Sequence, residues 1–152
     1  MQFVKESRIA ASPEAVFRFH ESTGALEQLI PPWEKMEIVE SAHSLKPGSR
    51  VVLRGRILGF IPVRWVAVHT EYDPPRYFAD RQESGPFAYW YHRHLFLDDG
   101  SGGTILRDEV EYRAPFGILG EWFGGWYLLG KLEKMFTYRH EITRKIIESE
   151  KG

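Results

Sequence analysis

The sequence contains no cysteine. Disulfides, thiol nucleophiles and thiolate metal sites are therefore excluded. No apolar run approaches the roughly 18 residues a membrane-spanning helix needs. The opening MQFVKESRIA lacks the apolar core of a secretory signal. An excess of one charge is missing too: 20 Lys and Arg stand against 21 Asp and Glu. That leaves none of the basic surplus on which nucleic-acid binding rests. There is no phosphate-cradling glycine loop, dinucleotide fingerprint, nucleophile elbow or spaced zinc motif. Internal repeats, low-complexity tracts and linkers are also lacking. These absences predict a soluble, cytoplasmic chain with no cofactor, no metal, no nucleic-acid partner and no integral membrane segment. They leave the oligomeric state open. The length of 152 residues suits one core, and 1–152 is read as a single domain.

Aromatic residues are abundant, at 14% of the chain. Large rings fill cores, but they also line ligand pockets. Residues 2–10 suit a first strand. Ser12-Pro13-Glu14 then combines an N-cap hydroxyl, a proline at the first helical position and an acid near the positive helix end. Thr23 is the expected cap of a second short helix, TGALEQLI, which Pro31-Pro32 ends. Strand-like segments follow at 34–42, 50–58, 62–72, 76–84, 87–97 and 104–114. They are separated by LKPGS, Gly59 and Pro62, Asp73-Pro74-Pro75, Gly85-Pro86 and the hairpin loop DDGSGG. From about Gly117 the apolar period becomes helical. Trp122, Trp126, Leu129, Leu132, Phe136, His140, Thr143 and Ile147 recur at three- or four-residue spacing. Gly120, Gly124, Gly125 and Gly130 weaken the first half of this helix, by up to about 1 kcal/mol each relative to alanine.

A run of antiparallel strands needs a cover for its apolar face, and the long helix is the only element large enough. The predicted class is α+β: a curved antiparallel sheet of about seven strands around a long C-terminal helix, with two short helices after the first strand. The segments 9–20 (IAASPEAVFRFH), 72–96, 104–120 and FTYRH at 136–140 carry a resemblance over essentially the whole chain. They resemble the helix-grip fold of the START-like superfamily, which includes the birch-pollen allergen, steroid-transfer domains and the polyketide cyclase/dehydrases (the SRPBCC group). The resemblance implies an apolar cavity between sheet and helix. It does not imply one reaction, because the scaffold hosts carriers, sensors and enzymes.

Alternate strand residues share a face. In 88–96 one face carries Trp90, His92, His94 and Phe96. On the next strand Asp108, Val110 and Tyr112 oppose a wholly charged set, Arg107, Glu109, Glu111 and Arg113, which belongs in water. If DDGSGG pairs Phe96 with Leu106, His94 falls opposite Asp108, His92 opposite Val110 and Trp90 opposite Tyr112. A tight Gly85-Pro86 turn likewise sets Asp80 opposite His92 and Gln82 opposite Trp90. The expected pairs are therefore Asp80–His92 and His94–Asp108, walled by Phe78, Trp90, Phe96, Val110 and Tyr112. A slip of one residue would turn them all outward.

The paired histidines have three readings. His-x-His with an aspartate is a possible metal set, although no further spaced motif supports it. A His–Asp pair in an apolar cavity could act as acid and base. The adopted reading makes the four residues the polar end of a ligand pocket. The small hydrophobic or amphipathic ligand could be a lipid, polyketide or other aromatic. Phe78, Gln82, Trp90, Phe96, Val110, Tyr112, Trp122 and Trp126 contact it, and His92, His94, Asp80 and Asp108 orient it or, in a cyclase/dehydratase, catalyse. A protein-interaction module without ligand is the third class. The aromatic stretch 122–129 is read as facing the sheet rather than a membrane. His20, His43 and His69 have no identifiable partner. Arg139 is assigned either to an acidic strand residue or to a surface ion pair.

Overall fold

The seven strands are β1 (Gln2–Ile9), β2 (Met36–Glu40), β3 (Arg50–Ile57), β4 (Ile61–Asp73), β5 (Tyr77–Ser84), β6 (Tyr89–Asp98) and β7 (Thr104–Arg113). Helices α1 (Pro13–Glu21) and α2 (Ala25–Leu29) follow β1, and α3 (Gly117–Ser149) follows β7. The computed structural model describes residues 1–42, 44–57, 60–115 and 117–150, with the backbone alone at 57, 117–119 and 121–123. His43, Gly59 and the Trp122 side chain thus lie outside the described set. No helix among the described residues is long and apolar enough to cross a membrane.

The strands form one antiparallel sheet in the order β1-β7-β6-β5-β4-β3-β2. The last six pair as a meander, and β1 adds to the far edge of β7. Turn chemistry sets the registers. In DDGSGG, Gly100 and Gly102 take φ of 83° and 86°, which glycine reaches without strain. The Asp99 carboxylate accepts from the backbone N–H of Ser101 (2.8 Å) and Gly103 (2.9 Å), and from Arg8 Nε at 2.7 Å. Those donors hold its pKa down to about 2. The register that follows pairs Phe96 with Leu106, His94 with Asp108, His92 with Val110 and Trp90 with Tyr112, as expected. Pro62 does not break the strand as expected but pairs opposite Arg56. It is tolerated because β5 pairs with β4 only from Val66 onward, which leaves Pro62 on a free edge.

The helix starts obey local chemistry. Ser12 Oγ accepts from the Ala15 N–H at 3.2 Å, and Pro13 opens α1. Ser12→Ala is expected to cost about 1 kcal/mol, read as a melting point lower by about 2–4 °C. A shift of zero would show that this cap contributes nothing. The expected cap of α2 is corrected: Gly24, not Thr23, holds the N-cap position, with φ 86° and no side-chain cap. A left-handed backbone there suits glycine and would strain the β-branched threonine.

The helix period and the strand period then meet in three layers. Ile9, Phe17, Phe78, Phe96, Leu106 and Ile147 pack one apolar cluster under α1 and the end of α3. Phe3, Trp90, Val110, Tyr112, Leu132 and Phe136 pack another under the middle of α3. Between them five elements contribute polar residues that bond to one another: Ser7 on β1, Asp80 on β5, His92 and His94 on β6, Asp108 on β7 and His140 on α3. The outward face carries charges, with Arg107 on Glu6 and Glu109, and Arg93 near Glu71 and Glu109.

Candidate functional site: a buried histidine–aspartate belt

Asp108 is the hub of this polar layer. Its Oδ1 accepts from His92 Nε2–H at 2.7 Å and its Oδ2 from His140 Nε2–H at 2.6 Å. Asp80 Oδ2 accepts from His94 Nε2–H at 2.8 Å. These bonds place the proton of each imidazole on Nε2, leaving Nδ1 an acceptor. His140 Nδ1 then accepts from the Ser7 hydroxyl at 2.8 Å. The four residues sought on three neighbouring strands therefore converge, but the partners are exchanged. The expected Asp80–His92 and His94–Asp108 pairs give way to diagonal ones, His94–Asp80 and His92–Asp108. Directly opposite imidazoles and carboxylates are too close for a long ring to bond straight across. The rings lean along the strand to the diagonal neighbour instead. This lets His92 and His94 stack with centroids 3.6 Å apart and His94 stack on Phe78 at 4.0 Å. His94 Nδ1 remains 3.3 Å from Asp108 Oδ1. In the neutral tautomer that contact sets a lone pair against an oxygen.

Burial and charge compete throughout the belt. For Asp108, burial opposes ionisation, but hydrogen bonds from His140 and His92 and the nearness of His92 and His94 prevail. They hold its pKa well below the usual carboxylate value. Asp80 is lowered on the same balance, with burial opposed by the His94 bond. A neighbouring carboxylate ordinarily raises a histidine's pKa, but His94 goes the other way. Burial, then repulsion from His92, outweigh Asp80 and Asp108 and bring its pKa down to about 4.

A void of about 20 Å³ borders the belt, enough for roughly one water. It is lined by His94, Asp108, His140, Arg139, Thr143 and His20, with Leu29 and Leu106 beside them. Three of these site residues were not identified in the sequence. His20 donates through Nδ1 to the Val16 carbonyl (2.9 Å) and meets Phe96 edge-on at 5.0 Å. Burial, above all, lowers its pKa to about 4. His140 carried a legible signal: it shares the apolar stripe of Phe136, Thr143 and Ile147, where a polar residue must find a buried partner. Arg139 is corrected: among the described residues it forms neither the expected bond to an acidic strand residue nor a surface ion pair, and lies half-buried on the wall of the void.

The expected apolar wall is present but closed. Phe78, Trp90, Phe96, Val110 and Tyr112 are all buried. Among the described residues the rings of Phe78, Trp90, Phe96 and Tyr112 interlock with those of Phe17, Trp65 and Phe87, and Val110 packs with Phe136, where the resemblance implied an open cavity. Two wall residues are corrected. Gln82 closes the β5–β6 turn, donating to the Phe87 carbonyl at 2.8 Å and accepting its N–H at 3.1 Å. Trp126 is 77% exposed. Six residues at 100° each turn it about 120° away from Leu132, and so off the core-facing stripe.

Asp80, His92 and His94 each hold a possible metal-ligating atom, all within 4.8 Å of one another.

Residues 9–128 match the family described as "Polyketide cyclase / dehydrase and lipid transport". This chain belongs to that family. Its sheet and C-terminal helix are the helix-grip fold, and three solved structures share it. The nucleoside-diphosphate sugar epimerase from Corynebacterium glutamicum is 24% identical with a TM-score of 0.76, over 96% of this chain and 29% of that one. The Zhui aromatase/cyclase from Streptomyces sp. R1128 is 19% identical with a TM-score of 0.71, over 97% and 93%. A START superfamily protein from Mycobacterium smegmatis is 14% identical with a TM-score of 0.68, over 97% of each chain. The chain thus spans less than a third of the epimerase, and at these identities the likeness shows the fold alone. No curated protein matches the chain as a relative.

Proposed function

We propose that residues 1–152 act as one ligand-binding domain. It takes a small amphipathic molecule between the sheet and α3, with the polar end at the histidine–aspartate belt. The observation that carries this is a void bordered by His94, Asp108, His140 and His20, set between two apolar clusters. These polar groups bond to one another and also converge on shared space, as the polar end of a ligand pocket would. The family's lipid-transport and cyclase members agree with such a ligand. Because the aromatic clusters are packed, the ligand's apolar part requires side chains or α3 to move. The exposed Trp126 and Leu129 on the glycine-containing half of α3 mark the segment with least packing to lose.

Native mass spectrometry of the purified protein, followed by denaturation, tests this. A stoichiometric amphipathic molecule is the expected release. His92→Ala should then weaken its retention only modestly, since His92 does not border the void. Release of a stoichiometric metal ion instead would replace this reading with a metal centre on Asp80, His92 and His94.

A second reading has one observation of its own. His94 is neutral at pH 7, borders the void and has a proton-accepting Nδ1 near it. A cyclase or dehydratase would use it as a general base, with Asp80 fixing its tautomer. In that case His94→Ala abolishes turnover while binding persists.

A further inference from the structure

Arg139 is a half-buried cation whose Nε is buried without a hydrogen-bond partner. Its Nε is shut off from solvent and donates to no group, and no ion pair reaches its guanidinium among the described residues. Burial lowers its pKa, and the charges of Asp108, Asp80 and Glu34 only partly oppose this from a distance. The nearby acceptors are already engaged. Asp108 Oδ1 takes His92, Asp108 Oδ2 takes His140, and Asp80 Oδ2 takes His94. The Phe136 ring lies 5.3 Å from the guanidinium carbon and attracts the cation, but it accepts no N–H in the plane. A guanidinium has five donors in a rigid fork, and burying them unpaired is costly. The packing of α3 nevertheless sets Arg139 on the wall of the void with its Nε closed to solvent.

We propose that Arg139 and the void form a carboxylate subsite, so that the molecule bound in the helix–sheet interior is an amphipathic acid. This rests on the ligand-binding reading and names the chemistry of the ligand's head. A planar carboxylate matches the guanidinium fork with two parallel bonds. A phosphate would ask for more donors than a single arginine beside two ionised aspartates provides. The apolar part leaves past the end of α2. There Leu29 borders the void, and the next residue, Ile30, borders a surface crevice of about 350 Å³ with Met36, Ile38 and Glu27.

The test compares decanoate with 1-decanol, which share a tail, on wild type and Arg139→Met by titration calorimetry. Wild type should bind decanoate at least about ten-fold more tightly than decanol, the scale of one charge-assisted hydrogen bond. Arg139→Met should abolish that preference and leave decanol binding unchanged. The variant should also melt at the same or a higher temperature without ligand, because an unpaired buried charge has gone. Equal binding of both probes to wild type overturns the carboxylate subsite and leaves the amphipathic-ligand reading standing. A variant that melts lower and loses both probes assigns Arg139 a structural role and also overturns it. Failure of wild type to bind either probe, with nothing released on denaturation, overturns both readings.

Discussion

Asp108→Ala should be the most damaging single substitution in the belt, lowering folding stability by about 4 kcal/mol. Asp108 takes two imidazole N–H groups directly and faces a third ring, and all of this is buried. Removing it gains no packing. It strands the donors of His92 and His140 in a low-dielectric layer, and each stranded donor loses its full desolvation cost. In a chain of this length that is a fall in melting temperature on the order of 10 °C. Glu109→Ala, one residue on, points outward and should change stability by no more than about 0.5 kcal/mol. Urea denaturation of both variants gives the comparison. Similar values for the two would mean that the belt contributes no more than surface ion pairs do. Asp108→Asn should fall between, because its amide keeps an acceptor for one histidine but turns a donor toward another.

Acid should unfold the protein in a window set by two histidines. His94 and His20 have pKa values near 4 in the fold, against an ordinary 6.5. Between those values the unfolded chain binds more protons than the native one, so stability rises with pH through that range. It is fully present above pH 6.5 and is lost as pH falls toward 4. Each group contributes up to about 3 kcal/mol, an upper figure because opening of the belt would relieve it. Asp80 and Asp108 act in the same direction at still lower pH, since their pKa values are depressed and protonation removes their hold on the imidazoles. The melting temperature should therefore drop steeply from pH 7 to pH 4.5. In His94→Gln, whose amide can still donate to Asp80, the drop should be shallower. A flat profile between pH 7 and pH 5 would mean that these histidines titrate normally in the fold.

The part of the site that could be read in advance lies on neighbouring strands. A hairpin loop with its glycines, an alternating pattern and a wholly charged opposite face leave one register for β6 and β7. That register brings His94 level with Asp108 and His92 level with Val110. The exchanged hydrogen bonds were not legible in this way. Register places Cα atoms, whereas ring tilt and stacking decide which oxygen an imidazole reaches. His140 was half visible, as a polar residue in an apolar helical stripe. His20 and Arg139 were not, because 74 residues separate His20 from His94 and 31 separate Arg139 from Asp108, and no local rule relates them.

By itself the sequence determined the element order, the seven-stranded antiparallel sheet, the long covering helix and the inward face of every strand that matters. All of these follow from backbone period and turn chemistry, which act over a few residues. Tertiary structure alone decided that the aromatic wall closes into packed clusters, that Trp126 faces water and Gln82 a turn, and that four histidines, two aspartates and one arginine share a single layer. Those outcomes depend on volume filling and on which buried donor finds which acceptor. Both are settled only when helix and sheet are brought together.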